Sequence, residues 1–192
     1  AILRDLHING PVIVSAPFAG LLNILETFSD DKNFGDDLDK AVTLVQEARA
    51  DRAKVFFIGN GGSAAIASHM AQDYQKAGKI ASMCFNDASA LTALSNDCGY
   101  ESVFTEPLHV HARAGDVLFA ISSSGKSPNI VNAAELGRIK VMTVITLSGF
   151  EPSNPLHDLG HVNFYVPARH YGLVEIAHLA ICHTILDRLA GL

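Results

Sequence analysis

Apolar and polar positions fall in blocks along this chain, and the period changes from block to block. Leu21, Leu22, Ile24, Leu25 and Phe28 recur at helical spacing, and Ser29-Asp30-Asp31 closes that stripe. Leu38, Ala41, Val42, Val45 and Ala48 make a second helical face, with Asp36 and Asp37 near its start, where the helix dipole favours acids. Val55-Phe56-Phe57-Ile58 is instead one continuous apolar run, long enough for a buried strand. From there strands and helices alternate. The pattern predicts strands at 80–85, 117–121, 141–147 and 162–166. Between them it predicts helices through Ala90 and Leu94, over 104–111 despite Pro107, over 130–139, and over about 173–190. Asn96 to Tyr100 reads as a loop, and Pro152 to Pro155 as an irregular one with a short helix through Leu156. Residues 1–20 read equally as a short helix or an extended arm. Such alternation predicts an α/β fold with a mostly parallel sheet and helices on both faces. Residues 1–50 would form an N-terminal arm and two helices, and 51–192 the core of the same single domain.

Composition narrows the function. A chain of 192 residues with 48% hydrophobic content is expected to form one domain with a sizeable core. Charged residues are only 18% and the net charge is −6, so the basic footprint of a nucleic-acid partner is absent. Cys84, Cys98 and Cys182 are an odd number without paired spacing, which reads as reduced thiols in an intracellular protein. No apolar run reaches membrane-spanning length, so no membrane partner is expected. Gly10, Pro11 and Pro17 interrupt the early apolar piece, so a signal peptide is not expected and the cytoplasm is.

Two junctions carry the chemistry. After the first strand, Gly59-Asn60-Gly61-Gly62 leads to Ser63, a candidate N-cap, and then to Ala64-Ala65-Ile66-Ala67. Glycines let the backbone approach a ligand, and first-turn N–H groups favour an anion. The loop is neither G-x-G-x-x-G, since Ala65 takes the third glycine's place, nor a P-loop, since no Gly-Lys-Ser follows. After the third strand comes Ser122-Ser123-Ser124-Gly125-Lys126-Ser127, whose hydroxyls and amides suit phosphate without a cation. The same composition is also ordinary turn chemistry. Ligands of parallel sheets sit at the carboxyl ends of strands, where both loops fall, so the two are expected to share one crevice. His69 and Asp73, four apart on the helix after the first loop, have metal-ligand spacing. An amphipathic helix also carries such pairs on its surface. On the last helix Glu175, His178, Leu179, Cys182 and His183 share one face. His7, His109, His111, His157 and His161 read as structural, while His170 could reach the crevice.

Taken in order, the GNGGS loop, His69 one turn before an acid, Asn96-Asp97-Cys98-Gly99-Tyr100 and the serine loop resemble the sugar isomerase (SIS) domain. More closely they resemble the phosphoheptose isomerases, from about residue 36 to the end. The resemblance implies a flavodoxin-like five-stranded parallel sheet and a homotetramer with active sites at subunit interfaces. It implies zinc held by His, Glu, Gln and His, which map to His69, Asp73, Glu175 and His183. Asp73 is one methylene shorter than the family's glutamate, and Glu175 is an acid where the family has an amide. Substrate contacts map to Asn60, Gly61, Gly62, Asn96, Asp97, Ser122, Ser123, Ser124 and Ser127, with Ser63 beside them. The expected reaction interconverts sedoheptulose 7-phosphate and D-glycero-D-manno-heptose 7-phosphate through an enediol. Asp73 and His183 would be the acid/base pair, and Glu175 has the reach to serve as base instead. Two rivals stand beside it: a non-catalytic sugar-phosphate sensor or partner-binding SIS protein, and an isomerase of a pentose or ketohexose phosphate.

Overall fold

The computed structural model describes residues 16–191; the first fifteen residues of the proposed arm, His7 among them, lie outside it. Five strands form the sheet: β1 Val55–Gly59, β2 Ser82–Cys84, β3 Val117–Ser122, β4 Thr143–Gly149 and β5 Val162–Val166. All neighbouring pairs are parallel, in the order β2-β1-β3-β4-β5. That is the doubly wound flavodoxin-like order, and it confirms the expected fold class. Its switch point falls between β1 and β3, whose carboxyl ends carry the glycine and serine loops.

Alternation along each strand divides the core. Val55, Phe57, Val117, Phe119, Ile121, Ile145, Leu147 and Phe164 face α1 (Ala16–Asp30), α2 (Lys32–Ala50), α3 (Gly62–Lys76) and α7 (Tyr171–Ala190). Phe56, Ile58, Leu118, Ala120 and Val144 face the other way, toward α5 (Thr105–His111) and α6 (Pro128–Ile139), with α4 (Ala88–Cys98) at its margin. Both faces are covered, so β1 and β3 are apolar throughout, as their sequences are. α2 therefore covers the sheet of its own chain at β5, and α1 packs on α2 and α7. Among the described residues, no helix is long and apolar enough to cross a membrane.

Three boundaries differ from the sequence pattern. β2 keeps only three of its six expected residues, being an edge strand with one neighbour. β4 begins at Thr143 because Val141 ends α6 with a left-handed φ of 59°. Its N–H bonds Arg138 O and that of Met142 bonds Gly137 O, the paired bonds of a Schellman cap. α4 runs on through Asn96, Asp97 and Cys98, and stops only where Gly99 takes φ 84°.

Candidate active site

The glycine loop turns in a way its sequence only half discloses. Gly61, not Ser63, is the N-cap of α3, at φ 55° and ψ −120°, a backbone state costly for a serine. Ser63 is drawn into the first turn and buried. A Cβ on Gly59 would stand 2.5 Å from the Ser63 carbonyl, so the strand end and the helix start touch backbone to backbone. No side chain caps α3, and Ser127, the N-cap residue of α6, makes no side-chain cap bond either. Two helix N-termini thus open on the same end of the sheet with first-turn amides left to a ligand.

Between them lies a cleft of about 220 Å³, walled by Asn60, Gly61, Gly62, Ser63, Ser122, Ser123, Ser124 and Ser127. The two loops share one crevice, as their positions at strand ends required. Ser123 is 5% exposed, and its Oγ is buried in the cleft wall without a partner among the described residues. A buried hydroxyl in that condition calls for a partner, which a water or a ligand could supply. Ser122 and Ser127 bring their Oγ atoms within 3.4 Å of each other. Among the described residues, Glu175 supplies the wall's one charge, and neither Lys nor Arg is among those forming it. Lys126 and Arg169 instead line an adjoining hollow that shares Ser124 with the cleft. An anion here would meet hydroxyls and backbone amides.

Glu175 leans from α7 onto the start of α3. A Cβ on Gly62 would lie 2.3–2.5 Å from all three atoms of its carboxyl group, so the missing side chain is what admits the acid. Tyr171, at the start of the same helix, and Ile121, inside β3, complete the cleft. The sequence offered no signal for either: Tyr171 stands where a chain simply enters a helix, and Ile121 reads as ordinary strand interior. Tyr171 is held edge-on against Phe150 with ring centres 4.9 Å apart.

Two turns further along the same pair of helices, His69, Asp73 and His183 converge. His69 Nε2 lies 3.2 Å from His183 Nε2 and 3.3 Å from Asp73 Oδ2. These spacings match a metal cluster: zinc bonds of about 2.0–2.1 Å in a tetrahedron set donor-to-donor edges of roughly 3.3 Å. The donor set, two imidazoles and one carboxylate, is also a zinc set. Glu175, the fourth expected ligand, stands apart from these three and faces the cleft. Since Glu175 meets Gly62 while His183 meets His69, α3 and α7 run side by side in the same direction. Cleft and cluster are two stations on that seam.

The other expectations separate cleanly. His178 shares a stripe with His183 in sequence, but about 100° per residue spreads that stripe over a wide arc, and its far edge belongs to the sheet. His178 is fully buried, its Nε2 3.1 Å from the Ser148 carbonyl, and burial pushes its pKa down to about 4, against the smaller opposing effect of that bond. Cys182 beside it is a buried core residue, with its thiol pushed up to about 12 by that burial. His170 is exposed at the start of α7, outside the cleft wall. Asn96 and Asp97, expected at the substrate, lie exposed on the last turn of α4, bonded to each other at 2.8 Å, and do not line the cleft of their own chain. Asp87 caps that helix through the Ser89 and Ala90 amides, and its continuation to Cys98 carries both residues outward. The motif reaches the site through Tyr100, whose hydroxyl bonds the Asn60 side chain at 3.0 Å.

A doubly wound sheet with a serine- and glycine-walled anion cleft at its switch point defines an SIS-domain protein, and the SIS domain model matches residues 18–149. That match begins within α1, upstream of residue 36, where the motifs alone had placed its start. The phosphoheptose isomerase of Citrifermentans bemidjiense is 35% identical over 156 residues, 78% of this chain and 81% of that one. That of Buchnera aphidicola subsp. Acyrthosiphon pisum (strain Tuc7) is 30% identical over 180 residues, 91% and 93% of the two chains. The solved phosphoheptose isomerase of Neisseria gonorrhoeae superposes with a TM-score of 0.83 at 31% identity, covering 92% of this chain and 96% of that one. The chain belongs to the phosphoheptose isomerase family, and it is an isomerase.

Proposed function

We propose that this isomerase interconverts a ketose phosphate and its aldose, with sedoheptulose 7-phosphate and D-glycero-D-manno-heptose 7-phosphate as the pair. The observation that carries the reading is the His69–Asp73–His183 cluster on the same helix seam as the serine-walled cleft. The relatives are named for phosphoheptose chemistry, and the geometry favours a long substrate. The seven residue steps of α3 from Gly62 to His69 span about 10 Å at 1.5 Å per step. An extended seven-carbon chain with a terminal phosphate covers about 10 Å at roughly 1.2 Å per bond, a five-carbon one about 7 Å.

In this reading Ser122, Ser123, Ser124 and Ser127 hold the phosphate, with Gly61, Gly62 and Ser63 offering the start of α3 and Asn60 a side-chain amide. Asn96 and Asp97 contribute from outside the cleft of their own chain. The reaction removes a proton from C1 of the ketose and returns one to C2, through an enediol. A carboxylate takes the proton and His183 delivers one to the oxygens. Asp73 sits among the imidazoles, and Glu175, whose carboxyl lies against Gly62, has the longer reach, so either carboxylate could serve as the base. His69, Asp73 and His183 would hold zinc, with Glu175 the fourth ligand that the family pattern implies. Bound there, zinc supplies Lewis acidity toward the sugar oxygens.

Residues 1–192 act as one SIS domain working in the cytoplasm as a homotetramer. The exposure of α7 supports self-association: Ile176, an apolar side chain, is 50% exposed on the helix that also carries the metal and cleft residues. Purified protein, supplied with zinc, is expected to bind about one ion per chain. It is expected to turn over sedoheptulose 7-phosphate faster than pentose or ketohexose phosphates. Turnover of the shorter sugars alone would reassign the substrate; tight binding without turnover of any would favour the sensor reading.

A further inference from the structure

Asn60 borders both the cleft and a second hollow, beside Tyr100 and Asn129. Its amide is engaged on that inner side. Nδ2 of Asn60 donates to Oδ1 of Asn129 at 2.9 Å, and Nδ2 of Asn129 donates back to Oδ1 of Asn60 at 2.9 Å. The Tyr100 hydroxyl donates to that same Oδ1 at 3.0 Å. An amide oxygen accepts two hydrogen bonds and an amide nitrogen donates two. Both acceptor positions of Asn60 are therefore filled, and one N–H remains. Asn129 is 1% exposed, in the first turn of α6 two residues beyond Ser127, and a buried amide needs these partners. The pair is a two-bond bridge from the glycine loop to the helix that begins at the serine loop.

We propose that Asn129 is a positioning residue of the substrate cleft: with Tyr100 as a second clamp, it holds Asn60 as a donor-only group and fixes the spacing of the two anion-binding loops. This rests on the cleft taking a sugar phosphate. The reciprocal bonds leave Asn60 no acceptor to offer, which suits phosphate and carbonyl oxygens over N–H donors. They also explain why the tyrosine of the Asn96–Tyr100 motif points inward while its polar residues point out.

The test is a pair of double-mutant cycles: Asn60→Ala, Asn129→Ala, Tyr100→Phe, and the two doubles that contain Asn60→Ala. KM and kcat with sedoheptulose 7-phosphate are measured beside thermal midpoints. Asn129→Ala is expected to raise KM roughly tenfold and Tyr100→Phe roughly threefold, kcat changing little, as for a lost ground-state contact worth one hydrogen bond. Once Asn60 is alanine, adding either change is expected to cost no more. Losses that multiply with Asn60→Ala, or a lowered midpoint with unchanged KM, would overturn the proposal. If Asn129→Ala does not fold, Tyr100→Phe carries the test, since it removes one hydroxyl from a half-exposed ring. Kd for the same sugar phosphate is read in parallel. A wild type that binds without turnover then defeats the isomerase reading while the cycles still decide the positioning role.

Discussion

Acidification should unfold this protein partly through one histidine. His178 is fully buried against the sheet, with Nε2 on the Ser148 carbonyl and Nδ1 without a partner among the described residues. Burial lowers its pKa from 6.5 to about 4. The folded value lies below the unfolded one, so between them the unfolded chain binds the extra proton. The stability this histidine protects is complete above about pH 6.5 and is lost as pH falls toward 4. At about 1.4 kcal/mol per pH unit the full loss is about 3 kcal/mol, and about 2 kcal/mol is gone by pH 5. That is a large share of an ordinary domain's stability of roughly 5–15 kcal/mol. The assay is urea unfolding at pH 7.5 and pH 5.0 for the wild type and His178→Met, which fills the space without titrating. The variant loses a hydrogen bond at both pH values, and every other titrating group cancels between the two proteins. The wild type should lose about 2 kcal/mol more than the variant on going to pH 5. Equal losses would refute the assignment of the effect to His178.

Removing one imidazole should dismantle the metal cluster: His69→Ala or His183→Ala is expected to cut bound zinc from about one per chain to near none, read by elemental analysis, without loss of the folded far-ultraviolet spectrum. Gly62→Ala places a methyl where the Glu175 carboxyl lies, so the acid must swing away; kcat should fall at least tenfold while stability changes by less than about 1 kcal/mol, because the side chain that yields is flexible. Val141→Gly should raise the unfolding free energy by about 1 kcal/mol, since a β-branched residue at φ 59° in a Schellman cap is strained and its side chain is 71% exposed, with little packing to lose.

Much of this architecture is written locally. Val55–Ile58 and Val117–Ile121 are apolar without interruption because both faces of their strands are covered, so the central strands were plain from composition alone. Convergence of the glycine and serine loops followed from strand polarity, which places both at carboxyl ends. The pairing of His69 with His183 is a different matter. The residues lie on separate helices 114 positions apart, and only the family resemblance joined them before the fold did. Helical periodicity grouped His178 with Glu175 and His183, but it could not tell which edge of the stripe the sheet would take. Asn96 and Asp97 looked like loop residues because Asn and Asp favour turns, yet the Asp87 cap and Gly99 stop set the helix limits around them. Asn129 carried no signal, because its importance lies in a bridge to Asn60 across 69 residues.

The measurement that bears most directly on the function is proton exchange at the reacting carbons. Sedoheptulose 7-phosphate is incubated with zinc-supplied protein in deuterium oxide and followed by NMR. Transfer by an enzymatic base through an enediol should yield the heptose 7-phosphate with deuterium at C2 and, in the returning ketose, at C1. A ketose recovered unchanged, without deuterium at C1, from folded protein carrying its full complement of zinc would contradict the isomerase mechanism assigned to His183, Asp73 and Glu175.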